Sequence, residues 1–156
     1  MAEVSVAQSG TSRGVRFAGY ASVFDAADRG GDIVRRGAFR VGGRIPLLWQ
    51  HGGAPVGEIE WLGEDSRGLR VIGRVAEPGL AAAVARGGVT GLSFGYRVRE
   101  ARRGSRAREI KALDLVEVSL VANPMQPLAR VHAVEAGFTP PAWGDACRDC
   151  RAAAGA

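Results

Sequence analysis

Cysteine is scarce in this chain of 156 residues, and both cysteines, Cys147 and Cys150, lie near the C-terminal end in the sequence CRDC. A disulfide framework is therefore excluded from the rest of the chain, which fits a reducing compartment. A structural zinc site needs four ligands, and only two histidines, His51 and His132, are available to supplement the cysteines. We therefore predict neither a metal site nor a cofactor.

Long apolar runs are also missing. No stretch approaches the roughly 20 apolar residues of a membrane-spanning helix, and the first ten residues, MAEVSVAQSG, lack the basic and apolar regions of a signal peptide. We therefore expect a cytoplasmic protein with no membrane partner. A hydrophobic content of 46% is enough for one core. We expect one domain over residues 1–136 and, because the rest combines prolines and small residues without periodicity, a flexible tail over residues 137–156.

Lysine occurs once, at Lys111, so arginine carries almost all of the positive charge behind the net +5. One short segment between residues 97 and 108 contains six arginines. They are Arg97, Arg99, Arg102, Arg103, Arg106 and Arg108. Such a cluster can bind phosphates or an acidic protein, or it can be a solvated hairpin loop. The sequence leaves both interpretations open.

Short segments of β character, separated by glycine-rich or acidic turns, make up most of the chain. The predicted strands are Val15–Val23, Ile45–His51, Val56–Leu62, Leu69–Ala76, Thr90–Arg99 and Ile110–Val121. This many strands in one small domain predicts a mainly β fold, either a barrel or a sandwich.

Helical signals are limited to one segment. In PGLAAAVAR, residues 78–86, a proline near the start and two glycines just after the end predict a short helix.

We interpret DAADRGGDIVRRGAF, residues 25–39, as a loop that leads into a helical turn. Its aspartates, Asp25, Asp28 and Asp32, are spaced loosely like a calcium loop, but the downstream glutamate is missing, so we expect them to cap the loop.

Two residues are candidates for nucleophilic catalysis. His51 ends the apolar run IPLLWQH before two glycines, so we expect its imidazole where a strand opens into a loop; it is either a general base or a polar strand end. Ser93 lies in GLSFGYR, where alternation places it on the same face as the glycines around it and leaves access to its hydroxyl. The alternative for Ser93 is a bulge or close packing beneath another segment.

The segment LDLVEVSLVANPMQPLA, which starts at residue 113, reads as the last core strand and a turn. Alternation predicts that Val116, Val118 and Leu120 face the core while Glu117 and Ser119 point the other way. Glu117 is either a solvated strand residue or an acid that orients a histidine.

These segments together resemble the prohead proteases of tailed double-stranded-DNA bacteriophages and related gene transfer particles. The resemblance spans about residues 14 to 134. It rests on GYASVFD, GDIVRRGAF, IPLLWQH with PVGEI, GLSFGYR and LVEVSLVANPMQPLA, in this order. The family is similar in fold to the herpesvirus assemblins, which implies a β-barrel surrounded by a few short helices.

The resemblance also implies an activity, a serine endopeptidase with His51 as base and Ser93 as nucleophile. Assemblins use a second histidine as third residue where the phage family uses an acid. His132 lies beyond the matching motif, so Glu117 is our choice for the third residue and Asp114 the reserve. For the oxyanion, the VANPMQP turn is the candidate source of backbone donors.

Partners follow from the resemblance as well. The implied substrates are the scaffold segment of the major capsid protein and the protease itself, inside the assembling prohead in the host cytoplasm. The portal protein and nucleic acid are secondary candidates, and a homo-oligomer is expected. The competing hypothesis is a non-catalytic basic β-barrel that assembles capsids by binding scaffold or nucleic acid through the arginine segment.

Overall fold

Nine strands and one helix form the fold in a computed structural model that describes residues 14–136. In chain order they are β1 (Val15–Val23), β2 (Asp32–Val34), β3 (Phe39–Arg40), β4 (Pro46–Trp49), β5 (Gly52–Glu64), β6 (Gly68–Val75), α1 (Pro78–Ala85), β7 (Gly91–Arg103), β8 (Arg108–Val121) and β9 (Val131–Ala136). The predicted mainly β class is confirmed. The several surrounding helices are not, because the described residues contain a single helix.

The strands belong to one sheet with the order β2, β8, β4, β5, β6, β1 and β9, and both β3 and β7 pair with β8. Strand β8 is therefore central, with β7 antiparallel to it on one side and β4 parallel to it on the other. The sheet is not closed into a barrel, so the predicted β-barrel is not confirmed. Between β7 and the chain just before β9, the described residues form an isolated bridge at Gly91 and Arg130 and no continuous ladder.

All six predicted strands are present, although several have different ends. The interpretation of residues 25–39 as a loop and a helical turn is wrong, because strands β2 and β3 form there and pair in parallel with β8. Strands of three and two residues are too short to show a period, so their formation depends on the neighbouring strand and not on local sequence. The aspartate prediction holds for Asp28, whose carboxylate accepts the backbone N–H groups of Gly30 and Asp32.

Helix α1 is confirmed to within one residue of its predicted end. The Glu77 carboxylate caps its N-terminus by accepting the N–H groups of Gly79 and Leu80 at 3.0 and 2.6 Å. Gly87, with φ +76°, follows the C-cap in the left-handed conformation that favours glycine. The apolar side chains of Leu80 and Val84 join the core.

A bulge in β8 changes one predicted core position. Gly95 pairs with Glu117, but the next residue, Tyr96, pairs with Leu115, so Val116 is the extra residue. Its side chain is 44% exposed, and the prediction that Val116 faces the core is wrong. Leu115 is buried in its place. Val118 is fully buried as predicted.

Two expectations concern membranes and the tail. No helix within residues 14–136 combines the length and the apolar character needed to cross a membrane. The predicted tail over residues 137–156, including Cys147 and Cys150, lies outside the described residues. The domain boundary at residue 136 thus stays a prediction.

Candidate active site

A tight turn between β4 and β5 presents His51. Trp49 pairs with Gly52, so Gln50 and His51 are the two central residues of the turn, and both have positive φ, 53° and 61°. Two adjacent positive values are typical of a type I′ hairpin turn, which usually contains asparagine or glycine. The turn therefore holds two side-chain-bearing residues in a costly backbone conformation.

Hydrogen bonds to the end of β8 hold this turn in place. The Gln50 backbone N–H donates to the Leu120 carbonyl at 3.0 Å, and the Gln50 side-chain oxygen accepts the Ala122 N–H at 2.9 Å. The His51 backbone N–H donates to the Ser119 hydroxyl oxygen at 3.1 Å. His51 is thus a turn residue fixed to β8, and not only the end of a strand.

Behind the imidazole, Glu117 and Ser119 complete a ring of hydrogen bonds. His51 Nδ1 lies 2.5 Å from Glu117 Oε1, and Ser119 Oγ donates to Glu117 Oε2 at 2.6 Å. Because Ser119 Oγ also accepts from the His51 backbone, one hydroxyl connects the carboxylate to the turn. Glu117 is 7% exposed and Ser119 is fully buried, so Glu117 is not the solvated strand residue of the alternative interpretation.

Ser93 lies on β7 directly across from this ring. Its Cα pairs with that of Ser119, and the next pair on the same face is Gly95 with Glu117. A side chain at Gly95 would place its Cβ 2.6 Å from Glu117 Oε1, so glycine leaves the space that the carboxylate occupies. Ser93 is 7% exposed, and its hydroxyl has no hydrogen-bond partner among the described residues. Alternation thus predicted the shared face of Ser93 and Gly95 correctly.

Ser93 and His51 line the same cavity, which has a volume of about 520 Å³. Gln50, Asn123 and Gln126 lie on one part of its wall, and Gln126 fixes the VANPMQP turn through bonds to the Val23 and Ala26 backbone. The rest of the wall includes Asp32, Leu92, Phe94, Tyr96 and Met125. A buried carboxylate behind a histidine, with a serine on the same cavity, is an arrangement suited to acyl transfer.

A comparison with protein families places the chain. A family model described as Caudovirus prohead serine protease matches residues 2–140. The chain belongs to this family. It is also 31% identical over 152 residues to the prohead protease of Enterobacteria phage HK97, a match that covers 85% of this chain and 67% of that protein.

Among solved structures, the chain is similar to the KSHV protease in complex with a hexapeptide phosphonate inhibitor. The TM-score is 0.51 at 14% identity, over 81% of this chain and 66% of that one, so the chain spans less than two thirds of the KSHV protease. At this identity the likeness concerns the fold. The predicted resemblance to prohead proteases and to the herpesvirus protease fold is confirmed.

The other residues considered for the third position lie elsewhere in the fold. The Asp114 carboxylate pairs with Arg99 at 2.5 Å. His132, on β9, makes a T-shaped contact with Tyr20, with the ring centroids 5.7 Å apart, and is not among the residues that line the cavity. Burial and the nearby Arg67 and Arg70 lower the pKa of His132. The role of Ser119 was not predicted from the sequence; its place two residues after Glu117, on the same face, was the available signal.

An ion pair joins the far wall of the cavity to the start of β8. Arg108 donates two hydrogen bonds to Asp32, at 2.8 and 2.7 Å, and the Tyr96 hydroxyl donates to the same carboxylate at 3.0 Å. The bonds from Arg108 lower the pKa of Asp32, while burial and the nearby Asp32 carboxylate raise that of Tyr96 to about 12. At neutral pH the carboxylate is therefore charged and the phenol is neutral.

We expect Asp32→Asn to lower the free energy of unfolding at pH 7 by about 1 kcal/mol. The effect is no larger because Arg108, the partner of Asp32, is partly exposed to solvent. The pKa of Asp32 is depressed by folding, so its contribution is present above the unfolded value of about 3.9 and is lost as the pH falls through the folded value. The free energies of unfolding of the wild type and the variant, measured with urea, should therefore converge as the pH falls below the depressed folded pKa of Asp32. Asp25→Asn, at a more exposed ion pair, is the control, and an equal effect there would contradict the account.

Proposed function

We propose that this chain is a serine endopeptidase that cleaves the scaffold segment of the major capsid protein, and itself, during prohead assembly. The observation that carries the proposal is the contact between His51 Nδ1 and buried Glu117, with Ser93 on the same cavity as the imidazole. Family membership supplies the reaction class. The catalytic residues are His51, Ser93 and Glu117, and no cofactor or metal takes part.

In the proposed mechanism Glu117 holds the Nδ1 proton of His51 and leaves Nε2 as the base. Nε2 takes the Ser93 hydroxyl proton as Oγ attacks the peptide carbonyl carbon and the carbonyl π electrons move to oxygen. The tetrahedral intermediate collapses with cleavage of the C–N bond, and the imidazolium gives its proton to the leaving amine. Water, deprotonated by the same nitrogen, then attacks the acyl carbon, and the C–Oγ bond breaks as the imidazolium returns the proton to Ser93.

Donors for the oxyanion are available on the VANPMQP turn. Asn123 lines the cavity and makes no hydrogen bond with other residues of the described chain, so both its backbone N–H and its side-chain amide are available to a ligand. Preorganised donors of this kind stabilise the developing charge in the transition state. We infer that Asn123 contributes at least one of them.

Ser119 has a positioning role in this proposal. It binds the carboxylate and the backbone of the histidine turn with one hydroxyl, so it sets the distance between the acid and the imidazole. Catalytic groups need to be held within about 0.5 Å of the productive geometry, which second-layer hydrogen bonds of this kind provide.

The setting follows from the same proposal. Packed among capsid subunits in a prohead within the host cytoplasm, the enzyme meets its substrate at a high local concentration and needs little intrinsic affinity. The portal protein, nucleic acid and a homo-oligomer stay predictions. The β-barrel stays a prediction too, supported by the Gly91 to Arg130 bridge and by the Leu92 N–H bond to the Ala129 carbonyl, which bring the two edges of the open sheet together.

Coexpression with the neighbouring capsid gene tests the proposal. We expect the capsid precursor to lose an N-terminal scaffold segment, seen as a lower intact mass and a new N-terminus, whereas the precursor expressed alone stays whole. An intact precursor beside folded, soluble enzyme would contradict the proposal. It would favour the non-catalytic assembly protein that binds through its arginine segment.

A further inference from the structure

The hairpin of β7 and β8 extends beyond the core as an arm. Residues 97–106 are all exposed, on the last part of β7 and in the turn that follows. The predicted loop is thus mostly strand, since β7 continues to Arg103 and β8 begins at Arg108. The arm is the continuation of the two strands that carry Ser93 and Glu117, which stay paired from Gly91 to Arg103 despite three register shifts.

Positive charge on this arm exceeds what its carboxylates neutralise. Arg99 pairs with Asp114 and Arg108 pairs with Asp32. No ion pair within residues 14–136 involves the other four arginines of the segment. These are Arg97, Arg102, Arg103 and Arg106. The one carboxylate among residues 97–106 is Glu100, so a net positive surface remains at the tip.

The tip of the arm forms a cleft of about 370 Å³ with the loop at Gly30 and Gly31. Its lining includes Arg103, Arg106 and Arg108. Gly30 and Asp32 belong to the lining of both this cleft and the catalytic cavity, so the two concavities adjoin across that loop. Asp32 is the acidic residue in the cleft, and its charge is engaged by both bonds from Arg108.

We propose that this basic cleft is an exosite that binds glutamate or aspartate side chains of the substrate polypeptide, away from the bond that is cut. The inference rests on the proposed protease function. A chain that leaves the catalytic cavity over the Gly30 loop enters the cleft without leaving the surface. Arg103 and Arg106 form no ion pair within residues 14–136, and the electrostatic interaction of Arg103 with Asp32 offsets only part of their charge, so both can bind substrate carboxylates with charge-assisted hydrogen bonds.

The reach of the site limits where the acidic residues lie. Ser93 and Arg103 are ten residues apart on β7, so at roughly 3.3 Å per residue the cleft is at most about 33 Å from the nucleophile. An extended substrate spans that distance with about ten residues at most. A polypeptide fits better than single-stranded nucleic acid, because residues 97–108 contain no aromatic side chain on which bases could stack.

Two peptides with the same cleavage sequence test the exosite. One carries three glutamates within ten residues of the scissile bond, and the other carries three glutamines there. We expect the ratio of their kcat/KM values to favour glutamate by about 3- to 10-fold at low salt and to approach one at high salt. In Arg103→Ser with Arg106→Ser the ratio should fall to about one at low salt.

The matched control is Arg40→Ser with Arg44→Ser, which removes the same charge from exposed positions outside the cleft. It should keep the preference for glutamate. An equal ratio in the wild type, or equal loss in both double variants, would overturn the exosite. So would a duplex or single-stranded DNA fragment that binds through Arg103 and Arg106 while the glutamate peptide gains nothing. Failure to cleave either peptide would instead contradict the protease proposal itself.

Discussion

Ser93→Ala is expected to reduce capsid precursor cleavage by roughly 10⁴- to 10⁶-fold while the protein stays folded. The hydroxyl is the proposed nucleophile, and no other group in the mechanism replaces it. The fold should tolerate the change because Ser93 makes no hydrogen bond within the described chain, so alanine leaves no buried partner unsatisfied. Circular dichroism and thermal unfolding check the fold, and full processing by the variant would end the serine protease account.

His51→Ala should fail in the same assay to a similar extent, because the base is lost. The double variant should be little worse than either single change, since a nucleophile and its base act as one unit. Losses that add in free energy would show that Ser93 and His51 work independently. Any fall in stability of His51→Ala needs separate measurement, because the turn carries positive φ and binds Ser119 through its backbone.

Glu117→Gln has the second large expected effect, a loss of a few orders of magnitude in turnover with residual activity. Glutamine keeps the size of the side chain but removes its negative charge, and its amide nitrogen can only donate, so the hydrogen bond to His51 Nδ1 or to Ser119 Oγ must reverse its direction or be lost. The imidazole then loses the carboxylate that stabilises its charged form. The measurement is the cleavage rate of one peptide at matched concentrations of folded enzyme.

Asp114→Asn is the control for that change. Asp114 lies on the same strand but pairs with Arg99, so its loss should leave turnover within a few-fold of wild type. Ser119→Ala should fall between the two, because it removes one of the two supports of Glu117. If Asp114→Asn is the severe variant and Glu117→Gln is near wild type, the third position belongs to Asp114.

Local sequence predicted the elements with strong local signals, namely strands with clear alternation and a helix bounded by proline and glycine. Strand β1 has its predicted ends, and α1 begins at the predicted proline. Strands β2 and β3 were not predicted, because they are stabilised by pairing with residues of β8 that lie more than 70 positions away along the chain. Val116 was misassigned for a related reason, since a bulge is a property of two paired strands.

For the site, alternation correctly placed Ser93 with Gly95 and Glu117 with Ser119. The approach of His51 to Glu117 joins residues 66 positions apart, and only the family resemblance suggested it. The type I′ turn at Gln50 and His51 was not predicted because its residues are unusual for that conformation. Its cause is tertiary: three hydrogen bonds to the end of β8 hold it.

The central claim is that Ser93 is a nucleophile activated by His51, and covalent labelling tests it most directly. A peptidyl phosphonate carrying the capsid cleavage sequence reacts with an activated serine to give a stable analogue of the tetrahedral intermediate. Intact mass and peptide mapping should show one adduct, on Ser93, that forms much more slowly in His51→Ala and is absent in Ser93→Ala. An adduct on another residue, or labelling at an unchanged rate in His51→Ala, would contradict the account.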